Sequence, residues 1–138
     1  MTARLPDEMI EFWGEPIHIV TRQQLIADGQ LVDVTEAAGE CGFRGESVAV
    51  SASVWAMIES IPGGQRYGSW GDVRGRLHDV LWMARRVRHR LNCGPASAAF
   101  PLIMPVKGSR KRNISLVLHL GAGDDGLAAW TIMQVGED

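Results

Sequence analysis

The chain has 138 residues, 46% of them apolar and 22% charged, with a net charge of −2. These values fit one globular domain able to bury an ordinary core and exclude a disordered or fibrous chain. No apolar run reaches the 18 residues a membrane span needs.

The small net charge hides a division. Residues 1–60 hold ten carboxylates and three arginines, residues 61–112 hold eleven Lys/Arg and two aspartates, and residues 113–138 hold four carboxylates and no Lys/Arg. A concentrated basic middle in a near-neutral chain has something anionic to meet, inside the molecule or outside it. The opening MTARLPDEMIEFW carries acidic residues and a proline, which argues against a signal peptide. Cys41 and Cys93 lack CxxC spacing, so both are expected to be reduced thiols of a cytoplasmic protein.

In chain order, residues 7–13 form a helical turn or an extended arm, and the β-branched run Ile17–Val20 forms a short strand. Thr21 with Gln24 makes a capping box for a helix over Arg22–Asp28 that stops at Gly29. Leu31–Val34 reads as a second strand, Thr35–Gly39 as a turn of helix and Ser47–Val50 as an extended segment. Ser51 or Ser53 caps a helix over Val54–Ile61, which Pro62-Gly63-Gly64 ends. Gly63–Gly71 is a glycine-rich surface loop carrying Tyr67 and Trp70.

The strongest helix runs over Asp72–Leu91. Val73, Leu77, Val80, Leu81, Ala84, Val87 and Leu91 make one apolar stripe at helical period. Phe100–Val106 contains Pro101 and Pro105 and belongs at a sheet edge. Ile114–Leu120 and Leu127–Gln134, joined by GAGDDG, form a hairpin. The expected fold is a single α+β domain over residues 1–138: an antiparallel sheet with a C-terminal three-stranded meander, packed by one long helix and shorter helices.

Candidate chemistry centres on the basic middle. Arg74, Arg76, Arg85, Arg86, Arg88 and Arg90 lie on the long helix, and Lys107, Arg110, Lys111 and Arg112 in the turn 107–112. At 100° per residue His78, Trp82, Arg85 and His89 share a flank away from the apolar stripe, with Arg86 adjoining. Aromatics among cations stack bases or anchor protein partners. The plain alternative is a solvated face whose arginines pair with the acidic N-terminal half. Asp124-Asp125 lack the further oxygen ligands of a calcium loop, so GAGDDG reads as a turn. His18 and His119 fall in strands, Ser115 lacks a nucleophile motif and Cys93 lacks a nearby His. The Gly63–Gly71 loop lacks the ending of a phosphate loop. No cofactor or metal is implied.

Three stretches together, GEPIHIVTRQQLIADGQLVDVTEAAGECGF (14–43), RLHDVLWMARRVRHR (76–90) and ISLVLHLGAGDDGLAAWTIM (114–133), carry a resemblance. They are similar to an uncharacterised family of small accessory proteins carried by phages, plasmids and integrative elements. The resemblance implies a cytoplasmic accessory protein that binds a host protein or nucleoprotein complex. Such proteins block host defences, as anti-CRISPR and anti-restriction proteins do. It supplies no catalytic residues. A second resemblance is enzymatic: His18, Thr21 and Gly29 are placed like the opening of ADP-ribosyltransferase-like folds. Such a fold implies a late catalytic acid on a strand, and here only Glu137 in the tail offers one.

The expectation is thus a non-enzymatic binding protein. Its contacts would be His78, Trp82, Arg85, Arg86 and His89, the basic turn Arg110, Lys111 and Arg112, and the loop aromatics Tyr67 and Trp70. Direct nucleic-acid binding through helix 72–91 and turn 107–112 is the alternative, and the transferase the second.

Overall fold

The computed structural model describes residues 20–60, 72–91, 96–106 and 109–136, with the side chains of residues 104–112 excepted. The chain-order elements are α1 (Arg22–Ala27), β1 (Leu31–Asp33), α2 (Thr35–Glu40), β2 (Ser47–Ser51), α3 (Ala52–Glu59), α4 (Val73–Leu91), β3 (Ser97–Val106), β4 (Ser109–Ala122) and β5 (Ala128–Gln134). The protein is α+β.

Local signals place the helices. Thr21 accepts from the Gln24 backbone N–H at 3.1 Å, and the Gln24 side chain accepts from the Thr21 N–H at 3.0 Å, so the capping box forms. Gly29 then adopts φ +79°, a left-handed stop. Ser51, at the end of β2, caps α3 by accepting from the Val54 N–H.

The five strands form one sheet in the order β1-β2-β5-β4-β3. β3, β4 and β5 make the expected meander, with β3 at the edge. One pairing departs from an all-antiparallel sheet: β2 runs parallel to β5, with Val48 opposite Trp130 and Val50 opposite Ile132. Hairpin signals specify only strands adjacent in sequence. The β2–β5 pairing is non-local, and it joins the antiparallel β1–β2 pair to the meander.

The long helix presents its stripe to this sheet. Leu77, Val80, Leu81, Ala84, Val87 and Leu91 are buried against Val48 and Val50, Trp130 and Ile132, Leu116 and Leu118, and Phe100 and Leu102. Val54 and Ile58 of α3 and Phe43 complete the core. The burial of apolar area against the sheet holds α4 in place. Arg76, from the same helix, is also buried, and its Nε donates to the Ile58 carbonyl at 2.6 Å.

The basic turn expected over 107–112 is different. Arg110, Lys111 and Arg112 belong to β4, where Arg112 pairs with Met104 and Ser109 with Val106. The ladder continues almost to the connection, with a register shift between Met104 and Val106 at Pro105, which has no N–H to donate. Residues 7–13, the Ile17–Ile19 part of the first strand, Ile61 and the loop Gly63–Gly71 lie outside the described residues, as do Cys93, Lys107 and Glu137. Among the described residues no helix is long and apolar enough to cross a membrane.

Candidate functional site

Helix α4 sorts its cations into two groups. The first is met by the acidic N-terminal half. Arg74 Nη2 lies 3.2 Å from Glu40 Oε2, and His78 Nε2 lies 3.0 Å from the same oxygen, at ion-pair distance without hydrogen-bond alignment. Arg88 is bound on several sides. Its Nη1 donates to the Gly42 carbonyl at 3.0 Å and its Nη2 to Glu46 Oε1. Its guanidinium lies 5.4 Å from the ring centroids of both Phe43 and Trp130. Those rings pack edge to face, 5.9 Å apart, and Trp130 Nε1 donates to the other Glu46 oxygen. Glu46 thus ties helix α4 to the central strand through a charge-assisted pair and an indole donor.

The second group faces outward. Arg85, Arg86, His89 and Arg90 are exposed, and among the described residues none of them forms an ion pair. Trp82 on the same flank is 47% exposed, far more than the core aromatics Phe43, Phe100 and Trp130. The Arg85 guanidinium lies 5.4 Å from the Trp82 ring centroid, a cation–π distance. Of the predicted flank, Trp82, Arg85, Arg86 and His89 therefore form one outward surface, while His78 is turned to Glu40.

Between this flank and the α2–β2 connection is an open pocket of about 400 Å³, lined by Gly42, Arg85, Arg86, Arg88 and His89. Its shape depends on Gly42. The φ of +101° is a left-handed conformation that side chains disfavour. A Cβ there would collide with Arg85 Nε and fall 2.6 Å from Arg85 Cδ. The absence of a side chain at Gly42 lets Arg85 lie across the backbone.

A second electrostatic joint meets the same strand, β5, at Trp130 and Thr131. The Asp124 carboxylate, in the GAGDDG turn, accepts from the N–H groups of Arg22 and Gln23 at 2.9 and 3.0 Å. These bonds hold its carboxyl below the usual aspartate range. The Arg22 side chain reaches Thr131 Oγ1 at 2.7 Å and the Trp130 carbonyl. Burial lowers the Arg22 pKa from its ordinary value, against the opposing effects of Asp33 and Asp124. Asp125 accepts from the Leu127 N–H within the turn. Both aspartates thus have structural duties, and no cluster of three or more metal-ligating side chains exists among the described residues.

No family model, curated protein or solved structure matches this chain. The remaining candidates divide accordingly. Tyr67 and Trp70 lie outside the described residues, and Arg110, Lys111 and Arg112 are placed by their backbones only. Thr21 and Gly29, offered by the enzymatic resemblance, serve as the cap and the stop of α1; His18 and Glu137 lie outside the described residues. His119 stands in β4 opposite Thr131. Cys41 is buried as a free thiol, and burial pushes its pKa up, with Glu40 adding to the effect. Sequence reasoning missed Glu40, Gly42 and Glu46. The only local signal was the alternation of glycine and acid in GECGFRGE.

Proposed function

We propose that this protein is a non-enzymatic accessory protein of a mobile element, which binds a host protein or nucleoprotein complex and obstructs it. The outer flank of α4 is its contact surface. One observation carries the reading: Trp82 stands half-exposed among Arg85, Arg86 and His89, none of which has an acidic partner among the described residues. Tryptophan and arginine are the residues that dominate protein interfaces. The resemblance of residues 14–43, 76–90 and 114–133 to mobile-element proteins supplies the biological context, and blockade of a CRISPR or restriction complex is its most specific form.

The test is capture from host lysate on immobilised protein, with and without nuclease, beside the variant carrying W82A, R85E and R86E. A partner retained after nuclease treatment and lost in the variant supports the reading. Material lost on nuclease treatment alone supports the second one, direct nucleic-acid binding, which the basic segment 61–112 favours. Salt separates them independently. A duplex complex weakens with a log–log slope near −0.9 for each phosphate neutralised. An interface centred on Trp82 loses less. Duplex affinity at physiological salt is expected to be weaker than about 10⁻⁶ M.

A further inference from the structure

Helix α4 carries the pattern Arg-x-x-x-His twice. The first copy, Arg74 and His78, converges on one carboxylate oxygen, that of Glu40. Residues four apart on a helix lie one above the other on the same face, so such a pair can grip a single acidic group. The second copy is Arg85 and His89. It has the same spacing, lines the pocket floored by Gly42, and has no carboxylate among the described residues. Arg86 adds a second guanidinium with no acidic partner among the described residues. Arg88 closes the wall without adding net charge, because Glu46 already holds it.

We infer that this pocket is a carboxylate receptor, which takes a glutamate or aspartate side chain, or a terminal carboxylate, from an acidic segment of the partner protein. The inference rests on the proposed contact surface and names what that surface recognises. Three features favour it. The same helix already binds a carboxylate by the same residue spacing. Arg85 is held in place by the Trp82 ring on one side and the Gly42 backbone on the other, so little rotamer freedom is lost on binding. A guanidinium also offers the planar fork that suits a carboxylate.

The experiment is a titration of the full-length protein at about 150 mM salt, observed by NMR shifts of the backbone amides of residues 42 and 82–90. The probes are an N-acetylated, C-amidated hexaglutamate, its hexaglutamine counterpart with an amidated end, the hexaglutamine with a free C-terminal carboxylate, and a hexathymidylate. Saturable shifts with amidated hexaglutamate, and none with amidated hexaglutamine, are expected. R85Q/R86Q should weaken hexaglutamate binding by roughly tenfold, the size of two exposed charge contacts. Because both side chains are exposed, an unchanged circular dichroism spectrum will show that the variant is folded. Binding of the free-ended hexaglutamine as tightly as hexaglutamate identifies a terminal carboxylate as the ligand. Equal binding by wild type and R85Q/R86Q overturns the inference, as does tighter binding of hexathymidylate than of hexaglutamate. A lysate partner still captured through Trp82 but not displaced by excess hexaglutamate would end the receptor while leaving the contact surface standing.

Discussion

Arg88 and Arg85 leave helix α4 one turn apart and both reach Gly42, but among the described residues only Arg88 meets a carboxylate. Arg88 is closed in by Glu46, the Gly42 carbonyl, Phe43 and Trp130, with about a quarter of its side chain exposed. Arg85 touches Trp82 and passes over Gly42, and no acidic group answers it among the described residues. One guanidinium joins a helix to a sheet; the other stays at the surface. The lesson is that a basic run is not one feature. A turn of helix separates charges that hold the fold together from charges left over by it.

Substitutions sharpen that contrast. The largest loss belongs to the apolar stripe on which both arginines depend. Leu81 is fully buried, and Leu81→Ala should cost about 2–5 kcal/mol in chemical denaturation. A change under about 1 kcal/mol would mean that α4 is not seated on the sheet. Next comes the Arg88 joint. Glu46→Ala removes the acceptor of both Arg88 and the Trp130 indole, and should cost about 1–3 kcal/mol. If Glu46→Ala and Arg85→Gln proved equally harmless, the division between the two arginines would collapse.

The Asp124 joint is smaller and is read through pH. Its folded pKa lies below the unfolded one, so its contribution is complete above the ordinary aspartate range. That contribution is lost as pH falls through the depressed folded value. Asp124→Asn should therefore lower stability near neutrality and flatten the decline below about pH 4, where an unfolded aspartate titrates. Denaturation midpoints at pH 7 and pH 3 decide it; parallel acid profiles for the two proteins would remove Asp124 from the account. The smallest effect is expected outside. Arg85→Gln and Arg86→Gln should each change stability by less than about 0.5 kcal/mol while weakening partner capture.

The parts of this arrangement that repeat along the chain were legible in the sequence. The α4 stripe, the Thr21 cap, the Gly29 stop and the β4–β5 hairpin each follow from residues a few positions apart. The outward position of Trp82, Arg85, Arg86 and His89 followed from helical geometry alone. What was not legible joins distant residues. Glu40 and Glu46 look like any other acids until the connection after α2 brings them beside α4. Arg76 lies one position before a core leucine and reads as solvated, yet it is buried with its Nε on the Ile58 carbonyl. The cations at 110–112 were misplaced because hydrophobic alternation stops before the ladder does.

The parallel pairing of β2 with β5 also has a consequence in time. β5 is central in the sheet but is the last of the described strands to be synthesised. Until it arrives, β1 and β2 form one antiparallel pair, and β3 and β4 another, with no hydrogen-bonded ladder between them. Two-stranded hairpins are marginal in water. The five-stranded sheet therefore cannot be assembled strand by strand as the chain emerges. It waits on residues 128–134 and closes as a late event across a long sequence separation, the kind of closure that folds slowly.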